Sequence, residues 1–279
     1  MSRQLSLHPL SALLIAAASL ALAAPAAADD NARLVRKLAT RNAEKIASQL
    51  ADQGKEALPA IKDGLAHRNW KIRYWAAYAM AYSKAAKEGG GVEALRPLLQ
   101  DKRRRVQLRA AMAMAHLGDK SGLEKAKAHA KSGKAHLRAE AMAALAASGD
   151  AEVVPLFKEA LNDGNAKVRY WALLGLRDLG GEGALELGFK YAKDRNAEVQ
   201  TAALEIVGAH GKGKPETQEV LIGLLASRAA LVRQQACSVL ARIGTTKAIV
   251  ALRKVRDKDR NQAVRDVADA AVVEILKRK

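Results

Sequence analysis

The chain has 279 residues, 47 Lys and Arg against 29 Asp and Glu, and a net charge of +18 at pH 7. Its one cysteine, Cys237, excludes an intrachain disulfide. The positive field favours anionic partners and disfavours basic ones, and it carries no information about fold.

The first 28 residues read as a secretory signal. Arg3 gives a short positive region, residues 11–24 are apolar and rich in Ala and Leu, and Ala26, Ala27 and Ala28 offer a small-residue cleavage site. The apolar stretch is shorter than the ~20 residues that a spanning helix needs. The expectation is cleavage after residue 28 and export to a bacterial periplasm, with no membrane span. The mature chain then keeps 46 basic and 29 acidic residues, a net of +17. Residues 29–51 read as one N-terminal capping helix, and residues 52–279 as the body of the protein.

In that body a signature close to Asp-x-x-x-x-Val-Arg recurs seven times. Its apolar anchors are Ile72, Val106, Leu137, Val168, Val199, Val232 and Val264, spaced by 34, 31, 31, 31, 33 and 32 residues. A fixed period of this length means stacked structural units. Each unit reads as two helices. The first precedes the signature, as over residues 92–99, 153–161 and 218–225. The second starts at the signature, as over residues 168–179. Gly118, Gly149, Gly180, Gly211 and Gly244 follow the second helix and suit its C-terminal stop. Asp101, Asp163, Asp194 and Asp259, with Ser132 and Ser227, precede it and suit an N-terminal turn.

The signature resembles the short HEAT-like repeats of the bilin-lyase type, over residues 57–276. The resemblance implies an all-α, right-handed solenoid of about seven helix pairs. It implies little about function, because such repeats serve many roles.

Counting from each anchor at 100° per residue, steps 0, 4, 5, 7 and 8 are apolar or small and form the buried arc. Step 1 falls inside that arc yet is polar: Arg73, Gln107, Arg138, Arg169, Gln200, Arg233 and Arg265. A buried Arg needs a partner, and the turn Asp of an adjacent unit is the nearest regular one. Arg and Asp are therefore read as a structural ladder.

Steps 2, 3 and 6 point away from the buried arc, toward what the resemblance makes the concave face. Unit one places Tyr74, Trp75 and Tyr78 there, unit two Leu108, Arg109 and Met112, and unit four Tyr170, Trp171 and Leu174. Unit three has Ala139 and Ala143, and later units are polar or small. The expectation is a shallow groove with aromatic walls and an alanine floor, where Tyr74, Trp75, Tyr78, Leu108, Arg109, Met112, Tyr170 and Trp171 meet a protein partner. Trp75 and Trp171, at the edge of the buried arc, face that groove or pack on the next unit. Positive charge falls in the loops: Arg68, Lys102, Arg103, Arg104, Arg105, Arg195, Arg228 and Arg260 form a basic rim. The rim steers an acidic partner, or itself binds an anionic polymer or lipid.

No catalytic motif emerges. None of the six histidines is followed by Glu, whereas HEAT-like di-iron hydroxylases use His-Glu pairs as ligands. His136 and Glu140 lie one turn apart, but two ligands are too few for a closed zinc site. Bilin-lyase activity is implied by repeat type alone. HEAT-like DNA glycosylases pair Trp with a basic concave face, and here that row carries only Arg109. No cofactor, metal or nucleic acid is expected, and a monomeric interaction module is.

Overall fold

The computed structural model describes residues 29–181 and 183–278. The expected signal, residues 1–28, lies outside the described residues. Every regular element among them is helical.

Residues 29–51 form two helices where the sequence suggested one. Helix α1 spans residues 29–36 and runs into a 3-10 turn at Lys37–Ala39, and α2 spans Ala43–Asp52. The chain turns at Thr40, whose hydroxyl and backbone N–H both bond to the Lys37 carbonyl. The cap is thus itself a helix pair.

Seven pairs follow. Helices α3 (Leu58–Leu65) and α4 (Trp70–Tyr82) form the first, and α5 (Gly91–Leu95) and α6 (Arg104–His116) the second. The third pair is α7 (Leu123–Ala130) and α8 (Ala135–Ala147), and the fourth α9 (Val154–Ala160) and α10 (Ala166–Leu179). Then come α11 (Ala184–Tyr191) with α12 (Ala197–His210), α13 (Pro215–Leu224) with α14 (Ala230–Ile243), and α15 (Ile249–Lys258) with α16 (Gln262–Lys277). Helix α5 is short because Pro97 lacks the N–H that an α-helix interior needs, and the segment Arg96–Gln100 tightens to 3-10.

The chain divides into two compact units, meeting in sequence at Lys125 and Ala126. Within the first, α2, α4 and α6 pack in series; within the second, α8, α10, α12, α14 and α16 do. First helices pack against their own second helix in the pairs α3–α4, α5–α6, α9–α10, α11–α12, α13–α14 and α15–α16. All seven anchors are buried, with Val106, Val199 and Val232 fully so. Cys237 is also fully buried, and burial, then the charge of Asp259, pushes its thiol up to about 12.

The Arg–Asp ladder is present. Arg73 donates to Asp101 through Nε and Nη2 at 2.6 and 3.0 Å. Arg138 pairs the same way with Asp163, Arg169 with Asp194 and Arg233 with Asp259. Each guanidinium also donates Nη1 to a carbonyl six residues back in its own loop, as Arg169 does to Asp163 at 2.9 Å. Gln107 and Gln200 reproduce that second bond, to the carbonyls of Asp101 and Asp194, both at 2.6 Å. The substitution has a reason. Gln107 and Gln200 are followed by units whose loops carry Ser132 and Ser227, whereas Arg73, Arg138, Arg169 and Arg233 are followed by Asp. Arg265, in the seventh pair, donates instead to the Asp259 carbonyl of its own loop and to Gln262.

The ladder Asp does a second job. One Asp101 oxygen accepts the N–H of Arg103 at 2.8 Å, and Asp163, Asp194 and Asp259 hold the N–H two residues on in the same way. The helix N-cap proper is the next residue but one. Asn69, Asn165 and Asn196 accept from the helix at 3.0 Å, and Asn261 caps α16. Of the five expected glycine stops, Gly118 and Gly149 take positive φ, of 91° and 60°. Gly180 does not, but a Cβ there would lie 2.5 Å from the Leu176 carbonyl oxygen.

Candidate functional site

The first compact unit carries a continuous aromatic row. Trp75 stacks edge-on against Tyr78 with centroids 5.5 Å apart, Tyr78 meets Tyr82 at 4.7 Å, and Tyr82 meets His116 at 5.1 Å. The Tyr82 hydroxyl lies 3.2 Å from Nε2 of His116. Trp75 and Tyr78 are half-buried, and Tyr82 is 48 % exposed. Burial, then the neighbouring Tyr78, raises the Tyr82 pKa, and burial, then the Arg109 charge, lowers that of His116. The histidine is thereby biased toward its neutral form.

Two arginines of α6 lie over the row. The Arg109 guanidinium sits 4.4 Å from the Tyr74 ring and 5.5 Å from that of Tyr78, and it donates to the Tyr74 hydroxyl. Its Nη1 reaches the Met112 sulfur at 3.5 Å. Arg105 covers Tyr74 at 5.2 Å and Trp70 at 5.9 Å. Cation–π contacts of this kind each contribute about 0.5–2 kcal/mol, more as they lose water.

This corrects three expectations. Tyr74 does not face outward: it is 6 % exposed, held between α4 and the arginines of α6. Leu108, also at step 2, is 1 % exposed. The physical reason is that α4 packs against both α2 and α6, the second helices before and after it in the first unit. The buried arc is therefore wider than one face, and step 2 falls within a helix–helix contact. Arg105 is the third correction: it and Arg104 belong to the first turn of α6, and Arg105 lies on the aromatic row rather than on a rim loop. Trp75, Tyr78, Arg109 and Met112 are half-buried and remain part of the row.

The second compact unit holds the other aromatic pair. Tyr170 and Trp171 are half-buried, with centroids 5.3 Å apart. The string Arg-Tyr-Trp-Ala is identical at 73–76 and 169–172, yet the surroundings differ. Where Tyr74 meets Arg105 and Arg109 of the following pair, Tyr170 has Glu198 and Ala202 at the equivalent positions. Burial first, then Glu198 and Glu205, raises the Tyr170 pKa. One string thus gives a cation-covered tyrosine in one unit and a carboxylate-facing tyrosine in the other. Ala139 and Ala143, the expected floor residues, are buried at 6 % exposure each.

The loop residues Arg68, Lys102, Arg103, Arg195, Arg228 and Arg260 are exposed, as is Arg104 at the start of α6. The loop backbone beneath several of them is fixed from below: the carbonyls of Arg68 and Arg228 accept from ladder arginines. Arg195 spends one N–H on the Gly164 carbonyl at 3.2 Å. Among the described residues no three His, Cys, Asp or Glu side chains group to hold a metal, and no helix is long and apolar enough to cross a membrane.

Serial packing of second helices within each unit, with first helices against them, defines a helical repeat protein. The sequence matches HEAT repeats over residues 58–138, 123–187 and 185–272, and the chain belongs to that family. Among solved structures it is similar to the CpcE–CpcF complex of phycocyanin lyase from Nostoc sp., with 19 % identity and a TM-score of 0.51 over 78 % of this chain and 94 % of that one. YibA of Escherichia coli aligns over 100 % of both chains at 17 % identity, with a TM-score of 0.51. At such identities the likeness concerns fold alone. No curated protein matches the sequence.

Proposed function

We propose that the chain is an exported, non-catalytic interaction module that holds an acidic protein partner on the aromatic row of its first compact unit. The observation that carries this reading is the row from Trp75 to His116, partly open to solvent, with Arg109 over Tyr78 and with Arg105 and Arg109 over the adjoining Tyr74. Trp, Tyr and Arg are the residue types that dominate binding energy at protein interfaces. A HEAT-repeat scaffold presents such a row on rigid helices, which limits the ordering cost of association. The net charge of +18 supports steering of an acidic partner. Arg3, the apolar residues 11–24 and Ala26–Ala28 support export.

The test is capture of partners from an envelope extract by the purified chain, set against Trp75→Ala and Tyr82→Ala variants. The expected result is loss of one discrete partner at an unchanged melting temperature. Equal capture by both variants would falsify the reading. A second reading rests on Lys102, Arg103 and Arg104, three adjacent cations that are all exposed. In it, an anionic envelope polymer binds the loops. That complex should weaken steeply with salt and be indifferent to Tyr82→Ala.

A further inference from the structure

We propose that a recess beside the start of α4 seats a short acidic peptide segment of the partner, one apolar side chain entering it and flanking carboxylates meeting the cations around it. This rests on the aromatic row being the partner-binding face, and it names what that face recognises. The recess has a volume of about 500 Å³, room for one or two side chains. Leu38, Trp70 and Trp75 give it apolar lining, and Arg41, Lys71 and Arg105 bring three positive charges to it. No carboxylate lines it.

Charge and shape select the occupant together. Arg41 and Lys71 are exposed, and neither enters an ion pair among the described residues. Arg105 is held over Trp70 and Tyr74. The first turn of α6 contains no acidic residue and begins with Arg104 and Arg105, which the helix dipole disfavours. Arg41 and Lys71 bring like charge to one concavity, and an incoming carboxylate offsets it. A bare, hydrated anion would leave the indole surfaces of Trp70 and Trp75 unused. A peptide that places Leu or Phe between acidic residues uses both the apolar lining and the cations. The recess adjoins the aromatic row through Tyr74 and Trp75, so a chain seated in it can continue onto that row.

The chain has three tryptophans, Trp70, Trp75 and Trp171, and two of them line the recess. In a Trp171→Phe background, indole fluorescence therefore reports on the recess. A random-peptide display library is selected against this full-length variant, and an enriched peptide is synthesised with its Gln-for-acid analogue. Both peptides, and polyphosphate as a bare polyanion, are then titrated. The proposal expects enriched peptides with acidic residues beside Leu, Phe or Trp, and a saturable fluorescence change. It also expects a loss of affinity of about ten-fold or more for the Gln analogue and for the Arg41→Glu/Lys71→Glu variant. It is overturned by the absence of any enrichment, by enrichment without acidic residues, or by equal binding to the charge-reversed variant. A matching fluorescence change with polyphosphate would overturn it too, in favour of a polymer. Peptide binding lost in Tyr82→Ala but kept in the charge-reversed variant removes the recess and leaves the row. Binding kept in both removes both.

Discussion

At the scale of residues, the first six pairs of the ladder obey a rule written in the chain itself: Arg before Asp, Gln before Ser. The Arg233 and Asp259 side chains are each 7 % exposed, so removing one partner strands a charge. Asp259→Ser should cost about 3–5 kcal/mol in chemical denaturation. Adding Arg233→Gln should restore much of that, because the double variant recreates the combination found at Gln200 and Ser227. Additive losses in this cycle would show that the rule carries no energy. The Arg233 hydrogen bonds hold the Asp259 pKa below its usual range, against the cost of burial. Since the folded pKa lies below the unfolded value of about 3.9, this stabilisation is complete above that pH and is lost as pH falls through the folded pKa. The pH dependence of unfolding below about pH 4 should therefore be shallower in the double variant, by about one proton. Two tyrosines of one row separate packing from recognition. Tyr74→Ala, at a site 6 % exposed, should cost about 3 kcal/mol of stability. Tyr82→Ala, at a site 48 % exposed, should leave the melting temperature nearly unchanged.

At the scale of elements, the second helices were legible because anchor, ladder residue and stop recur at one period. Asn69, Asn165, Asn196 and Asn261 recur as well, three residues before the anchor, and they are the caps. Asn165→Ala should cost about 1 kcal/mol, measurable in thermal unfolding. The site was half legible. The 3.6-residue period gives a helix one buried arc, but a helix in the middle of a stack has neighbours on several sides. Steps near the edge of the arc are then decided by the next pair's side chains. Arg105 and Arg109 cover Tyr74 while Glu198 and Ala202 stand opposite Tyr170. That difference can be seen in the sequence only by comparing each step with the following unit. The two-part cap was hidden because Thr40–Asn42 carries no Gly or Pro to announce a turn. Cys237, fully buried with its thiol pushed up to about 12, should react with thiol reagents only as fast as its helices open. Fast labelling of the native chain at neutral pH would contradict that placement.

At the scale of the whole molecule, repetition supplies the scaffold and departures from repetition supply the chemistry. Each compact unit contains one Tyr-Trp pair, and only the first surrounds it with cations. On the proposed reading, the cation-covered aromatic face of the first unit is where an acidic partner docks. The most direct measurement is site-specific photocrosslinking in the producing cell, from a photoreactive residue at position 82 and, as reference, at position 250, where Val250 is 79 % exposed on α15. The account predicts one discrete protein adduct from position 82, lost when Arg41 and Lys71 are reversed in charge, and none of that adduct from position 250. The same adducts from both positions, or none from position 82, would contradict it.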